Sequence, residues 1–270
     1  MLYLVGTPIG NFDDMTFRAV ETLKKVDLIA AEDTRNTLNL LNHFEIKTKL
    51  TSYHEHNKAS KGQQLLEVLL EGKDIAIVTD AGMPAISDPG EDIVRLCIEN
   101  DIEITTIPGP TAFVSALVMS GLSTKGVVFE GFLSAKNSER ENRLQELKDY
   151  KETIIFYEAP HKLLRTLEHI KNVFGDRKMS VSREITKKFE ETLRGNISFI
   201  IEHFNDNNPR GEFVLVVDGA EEKEEVYIIS VVEHVDKLIV EGKDKKNAIA
   251  EVAKLRKIPK RVVYNEYENQ

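Results

Sequence analysis

The sequence has few of the features that mark secreted, membrane-spanning or cysteine-rich proteins. Its single cysteine, Cys97, excludes an internal disulfide framework and a cysteine-based metal cluster. No apolar run approaches the ~18 residues that a membrane span needs. The N-terminal segment MLYLVGTPIG has no basic region and too short an apolar stretch for a signal peptide. We therefore expect a cytoplasmic protein with no membrane association and no metal site.

The charge of the chain is acidic overall but unevenly distributed. The 270 residues are 41% apolar and 30% charged, as in soluble globular proteins, and the formal net charge is −9. Such a surface does not attract polyanions as a whole. The segment 243–261, however, holds eight Lys or Arg and two acids, a local balance of +6. Any contact with nucleic acid is therefore expected to be local.

Strand-like runs alternate with helical patterns in the first part of the chain. The predicted strands are LYLV, DLIAAE, KLTSY, DIAIVT and EITTI. This alternation predicts an α/β domain with a largely parallel sheet over residues 1–122. Its last segment, TAFVSALVMSGL at 111–122, is apolar on all sides, which predicts a buried helix.

Two further units are expected after this domain. The strands VVFEGF, TIIFYEA, MSVSRE and EFVLVVDG, with a helix over Leu163–Phe174, predict a second α/β domain at 123–222. The acidic AEEKEEV at 220–226 reads as a linker. Residues 223–270 are expected to form a small helical extension: an amphipathic helix that includes Ile228 and Val231, then two helices separated by a turn at Pro259.

Three loops that follow predicted strands share an unusual composition. They are GTPIGN (6–11), DAGMPAISDPG (80–90) and PGPT (108–111), and they hold five of the eight prolines. Phosphate cradles need several free backbone N–H groups, usually with Lys or Arg. These loops offer few donors because proline has no N–H, and they contain no Lys or Arg. The pattern favours a ligand without phosphates and with a positive centre, such as an adenosyl sulfonium, although ordinary turns could also have this composition.

Longer motifs around these loops resemble the tetrapyrrole methylase superfamily, and more narrowly its branch that methylates small-subunit ribosomal RNA. The motifs are LYLVGTPIGNFDDMTFRA, LIAAEDTR, TDAGMPAISDPG, IPGPTAFVSAL and FYEAPHK. The resemblance implies two α/β domains that bind S-adenosylmethionine in the cleft between them. It also implies 2′-O-methylation of a cytidine ribose in the decoding region of 16S rRNA, within the small ribosomal subunit, by a homodimer. The implied cofactor contacts are Pro8, Ile9, Asp80, Ala81, Gly82, Met83, Ile86, Thr111, Ala112, Glu158, Ser182 and Glu212.

The general base for a ribose hydroxyl is not decided by the sequence. Candidates are Glu32 and Asp33 in AAEDTR, His54 in YHEHN, and Glu184 in SREITKKFEE. Each has a structural alternative. Asp33 also suits a helix start, and His54 a solvated loop. Arg183 and Glu184 also suit an ordinary ion pair at a strand end.

Basic residues in three regions are candidates for RNA contact, although basic segments are usually solvated helix faces. Those at the C-terminus lie on the predicted helix pair, which resembles a helix-turn-helix. The candidates are Arg35, Lys136, Arg140, Arg143, Arg183, Lys245, Lys246, Arg256, Lys257, Lys260 and Arg261. Two other functions remain open: methylation of a small tetrapyrrole precursor, and non-catalytic binding of nucleic acid by the C-terminal helices.

Overall fold

The computed structural model describes residues 1–221 and 229–269. The chain divides into two compact units, Met1–Ala220 and Glu221–Gln270. Most of the predicted linker at 220–226, and Ile228 of the predicted amphipathic helix, lie outside the described residues. No helix in the described ranges is long and apolar enough to cross a membrane.

The first sheet contains the five predicted strands, and all of them run parallel in the order β3-β2-β4-β1-β5. They are β1 (Leu2–Val5), β2 (Leu28–Ala31), β3 (Leu50–Ser52), β4 (Ile75–Val78) and β5 (Ile104–Ile107). Four helices connect them: α1 (Phe17–Lys25), α2 (Thr34–His43), α3 (Lys58–Leu70) and α4 (Gly90–Glu99). Every residue of β4 is buried, as expected for a parallel strand covered on both faces.

The second sheet is mixed, with the order β6-β7-β10-β8-β9 and one parallel pair, β6 with β7. Its strands are β6 (Val127–Phe132), β7 (Thr153–Glu158), β8 (Lys178–Arg183), β9 (Glu191–Asn196) and β10 (Phe213–Val217). Three helices lie between these strands in the chain: α6 (Asn137–Leu147), α7 (Leu163–Phe174) and α8 (Ile197–Asp206). Strand β9 was not predicted because its sequence, ETLRGN, is polar, which suits an edge strand.

The helix α5 (Ala112–Ser120) packs against the second sheet, but it is not buried on all sides. Ala116 is fully buried in a cluster with residues of β7 and β10, whereas Val118 is 71% exposed. The prediction of a buried helix is therefore wrong for one face. A uniformly apolar sequence carries no periodicity that could show which face lies against the protein.

Within 229–269, the C-terminal unit contains three helices: α9 (Val231–Val240), α10 (Lys245–Leu255) and α11 (Lys260–Glu268). Ser230 begins α9 with a reciprocal capping box to Glu233. Ile249 and Val252 are buried in the core of this unit, as predicted from their spacing, and Pro259 precedes α11. The predicted helix–turn–helix over 244–267 is confirmed.

Candidate functional site

The three proline-rich loops lie side by side at the carboxyl edge of the first sheet. Because β1 lies between β4 and β5, the loops that follow these strands are neighbours. Thr7 and Gly82 exchange backbone hydrogen bonds of 2.9 and 3.1 Å. A Cβ atom at Gly6 would lie 2.7 Å from the Cα of Gly109 and 2.7 Å from the sulfur of Met83. The loops are thus in direct contact, at the edge where open α/β sheets bind ligands.

The contact between Gly6 and Gly109 leads to a first prediction. Replacing Gly6 by alanine should lower the free energy of unfolding by about 2 kcal/mol, because the new methyl group overlaps backbone atoms that cannot move independently. Urea denaturation measures this change. The matched control is Gly62→Ala in α3, where the nearest atom to the new Cβ is 3.8 Å away and helix propensity favours alanine. Equal stability of the two variants would contradict the close packing of these loops.

The loop 80–90 is held in shape by the carboxylate of Asp88. It accepts hydrogen bonds from the backbone N–H groups of Ala85 at 2.9 Å, Ile86 at 3.3 Å and Gly90 at 2.7 Å. These bonds stabilise left-handed backbone at Ala85 (φ 67°) and Ser87 (φ 63°), which is costly for residues other than glycine. Three loop amides are therefore already engaged, so they are not available to a phosphate.

These loops form one wall of a cleft of about 310 Å³ within the unit Met1–Ala220. The opposite wall comes from the second sheet: the ends of β6 and β7, the loop after β8 and the start of β10. Such a volume suits a small-molecule ligand. Ten of the twelve predicted cofactor contacts line this cleft: Ile9, Asp80, Ala81, Gly82, Met83, Ile86, Thr111, Ala112, Glu158 and Glu212.

The other two predicted contacts do not line the cleft. Pro8 is buried in the loop after β1. Ser182 is fully buried in β8, where its hydroxyl is 2.9 Å from that of Thr192 on β9.

Several cleft residues were not predicted from the sequence. Phe132 and Tyr157 provide an aromatic surface, with ring centroids 5.5 Å apart, and burial raises the pKa of Tyr157. Lys187 brings a basic side chain to the cleft from the loop after β8, opposite the three loops that contain no Lys or Arg. The remaining residues of this group are Thr79, Ser87, Asp88, Ile185, Phe213 and Val214. The sequence signal that could have indicated these residues is their position, since most of them lie at or just beyond the ends of predicted strands.

Carboxylates dominate the electrostatics of the cleft. Among the described residues, six acidic residues line it, together with one basic residue, Lys187. The acidic residues are Glu32, Asp80, Asp88, Glu158, Glu184 and Glu212. Glu158 is 3% exposed, and it accepts hydrogen bonds from the Thr166 hydroxyl at 2.5 Å and the Ala159 backbone at 2.8 Å. This arrangement disfavours a polyphosphate and favours a ligand that carries positive charge. The residues present therefore fit S-adenosylmethionine, which combines a sulfonium, an amino acid and an aromatic base.

The four candidate bases occupy different environments. Glu32 and Glu184 line the cleft, whereas Asp33 and His54 do not. Asp33 is the N-cap of α2, as its alternative reading predicted, and its hydrogen bonds with Arg35 lower its pKa to about 2. A carboxylate with so low a pKa is a poor proton acceptor. Within the cleft, Glu32 accepts a hydrogen bond of 2.9 Å from the Thr79 hydroxyl.

The basic residues predicted to contact RNA are not equally accessible. Arg140 is 1% exposed, and its guanidinium is hydrogen-bonded to Ser134, Asn137 and His169, which leaves it inaccessible to RNA. Five others form ion pairs with carboxylates: Arg35 with Asp33, Lys136 with Glu139, Arg143 with Glu130, Arg183 with Glu191 and Lys245 with Glu268. Arg183 thus pairs across the β8–β9 hairpin, not with its neighbour in sequence.

The C-terminal basic residues also differ from one another. Arg256 is half-buried and donates to the carbonyls of Ile229 and Ser230, which gives it a structural role in the helical unit. Four candidates are exposed on the surface of this unit: Lys246, Lys257, Lys260 and Arg261. In residues 1–221 and 229–269, no group of three His, Cys, Asp or Glu side chains is arranged to hold a metal ion.

Known proteins match this chain over its full length. Residues 1–200 match the family model of the Tetrapyrrole (Corrin/Porphyrin) Methylases. The ribosomal RNA small subunit methyltransferase I of Halalkalibacterium halodurans is 49% identical over 100% of this chain and 95% of its own length. The protein of the same name from Bacillus subtilis is 48% identical over 99% of this chain and 94% of its own.

Solved structures with the same fold are more distant in sequence. The uroporphyrin-III-C-methyltransferase of Thermus thermophilus has a TM-score of 0.57 and 17% identity, over 80% of this chain and 93% of that one. A diphthine synthase has a TM-score of 0.62 and 10% identity, over 81% of this chain and 89% of that one. The family match over residues 1–200 and the full-length relatives show that this chain, with its proline-walled cleft, belongs to the tetrapyrrole methylase family.

Proposed function

We propose that this protein is an S-adenosylmethionine-dependent methyltransferase that methylates the 2′-hydroxyl of a cytidine in 16S rRNA. The observation that carries the proposal is the full-length similarity to ribosomal RNA small subunit methyltransferases I, which extends through the C-terminal helices. The structures of the uroporphyrin-III-C-methyltransferase and the diphthine synthase match about four-fifths of this chain and share its fold. The basic helical unit distinguishes the RNA hypothesis from methylation of a tetrapyrrole.

The cleft residues have distinct roles in this proposal. Asp80, Glu158 and Glu212 would hold the polar and positive parts of the cofactor, and Tyr157 would offer an aromatic surface to its base. When bound, S-adenosylmethionine supplies a methyl group on a sulfonium, which is an excellent leaving group. The protein then mainly has to align the ribose oxygen with that methyl group and accept its proton. Glu32 and Glu184 are the cleft carboxylates that remain as candidates for the second task.

A radiolabel transfer assay tests the proposed function. The protein is incubated with methyl-labelled S-adenosylmethionine and, separately, with naked 16S rRNA, small ribosomal subunits or uroporphyrinogen. We expect label in rRNA. Alkali should fail to cleave the chain at one labelled nucleotide, because a 2′-O-methyl group removes the hydroxyl that attacks the adjacent phosphate. Label in the tetrapyrrole alone would overturn the RNA assignment. Cofactor binding with no transfer to RNA would do so as well, and absence of cofactor binding would favour a non-catalytic nucleic-acid-binding protein.

The C-terminal unit is proposed to bind RNA through its exposed basic residues. Combined replacement of Lys246, Lys260 and Arg261 by glutamine should raise KM for RNA at least tenfold, while the affinity for S-adenosylmethionine stays unchanged. Loss of three phosphate contacts should reduce the slope of log affinity against log salt by about 2 to 3. The matched control replaces three exposed lysines of the other unit, Lys24, Lys25 and Lys125. Equal effects of the two triple variants would contradict a local RNA-binding surface.

A homodimer, which the family resemblance implies, is also proposed. The exposed apolar face of α5, with Val114 and Val118, is a candidate contact surface. Light scattering of the purified protein should give about twice the chain mass, and Val118→Asp should reduce it to that of one chain. A monomeric wild type would exclude this part of the proposal.

A further inference from the structure

The β8–β9 hairpin carries a loop, residues 184–190, that extends from the cleft to the surface. Glu184, Ile185 and Lys187 line the cleft, whereas Phe189 is 73% exposed. Two residues of extended chain span at most ~7 Å between Cα atoms, so the backbone of Phe189 lies close to that of Lys187. An exposed aromatic ring thus stands beside the cleft where methyl transfer is proposed.

Internal contacts hold this loop in one shape. Glu184 (φ 51°) and Thr186 (φ 68°) are left-handed, and the amide of Thr186 donates a 2.6 Å hydrogen bond to the Glu190 carboxylate. The ammonium of Lys187 pairs with Glu184 at 3.0 Å. Non-glycine residues in left-handed backbone cost free energy and are concentrated at functional sites. The loop is therefore preorganised, and its exposed ring is not the tip of a disordered segment.

The charges around Phe189 favour a nucleic-acid partner. The acids of the hairpin have partners within it: Glu184 pairs with Lys187, Glu190 accepts from Thr186, and Glu191 pairs with Arg183 at 2.6 Å. Lys188 is exposed, with its ammonium 5.6 Å from the centre of the Phe189 ring. An aromatic ring beside an exposed cation can stack on an unpaired base while the cation contacts the adjacent phosphate.

We propose that Phe189 stacks on a nucleobase next to the nucleotide whose ribose enters the cleft, and that Lys188 contacts the flanking phosphate. This inference rests on the proposed RNA substrate. It adds Phe189 as a residue that contacts the RNA and positions the target nucleotide. The loop also touches the loop after β1, because a Cβ at Gly10 would lie 2.5 Å from Cγ of Lys187. The segment that carries Phe189 is thus anchored against the loop after β1.

The test compares Phe189→Ala with Phe189→Trp and with Phe199→Ala. Phe199 is also an exposed phenylalanine (51%), but it lies beside Gly195, at the far end of β9 from the loop. With small ribosomal subunits as substrate, we expect Phe189→Ala to raise KM by about 5- to 150-fold, the range of one lost base stack. Phe189→Trp should restore KM to near wild type. Phe199→Ala should leave it unchanged.

Two further readouts separate stacking from other roles of the ring. The affinity for S-adenosylmethionine and the thermal midpoint should be the same for wild type and Phe189→Ala. An rRNA fragment with 2-aminopurine beside the target nucleotide should lose fluorescence on binding to wild type, and should lose much less on binding to Phe189→Ala. An unchanged KM in Phe189→Ala would overturn the inference. The proposed function would still stand if the wild-type protein methylates rRNA. If Phe189→Ala changed the oligomeric state and left KM unchanged, the ring would belong to a protein interface and the inference would be wrong.

Discussion

Replacing Asp88 by alanine is expected to lower the affinity for S-adenosylmethionine at least 100-fold while the protein stays folded. The Asp88 carboxylate holds three backbone amides of the loop 80–90, and this loop supplies Met83 and Ile86 to the cleft wall. Hydrogen bonds to a charged group contribute about 1.5 to 3 kcal/mol each, and 100-fold in affinity corresponds to only about 2.7 kcal/mol. Without these bonds the left-handed backbone at Ala85 and Ser87 loses the three hydrogen bonds that stabilise it.

Calorimetry of cofactor binding measures this effect, and circular dichroism reports whether the fold is retained. Asp88→Asn should give an intermediate loss, because an amide oxygen in the place of Oδ1 can still accept from Ala85 and Gly90, whereas the amide NH2 group in the place of Oδ2 cannot accept from Ile86. The matched control is Glu91→Ala, which removes an exposed carboxylate three residues further on that pairs only with Arg95 among its described partners. Cofactor binding by Asp88→Ala at wild-type affinity would show that the loop keeps its shape without this carboxylate.

The second large effect is expected on the rate of methyl transfer. Glu184→Gln should lower the single-turnover rate at saturating cofactor by about 10²- to 10⁴-fold, the usual contribution of a general base. Glu184 is favoured over Glu32 because its strained backbone, its ion pair with Lys187 and the glycine at position 211 fix its carboxyl group in the cleft. A Cβ at Gly211 would lie 2.4 Å from Oε1 of Glu184.

Glu32→Gln and His54→Ala are the comparison variants for this rate measurement. Glu32→Gln should reduce the rate less than tenfold, because the amide can still accept from Thr79. His54→Ala should have almost no effect, since His54 does not line the cleft. A larger fall for Glu32→Gln than for Glu184→Gln would assign the base to Glu32. Small effects in all three would mean that alignment of the ribose oxygen is sufficient.

The loops of the site could be predicted from the sequence, but some of its individual side chains could not. Proline and glycine act on the local backbone, so the chemistry of 6–11, 80–90 and 108–111 was visible in the sequence. Lys187 and Tyr157 reach the cleft through the second sheet, whose mixed strand order has no simple pattern in sequence. The burial of Arg140 was equally hidden, because its guanidinium donates to the Ser134 carbonyl, the Asn137 side chain and His169 on another helix, which no sequence pattern links to it.

The sequence by itself determined the parallel first sheet, the loops at its carboxyl edge and the C-terminal helix pair, because apolar periodicity and turn residues act over short stretches of chain. Tertiary structure alone decided which residues of the second half face the cleft, which face of α5 is exposed and which basic residues are accessible. Those outcomes depend on contacts between segments far apart in the chain, such as the approach of Lys187 to Gly10. No local pattern records such contacts.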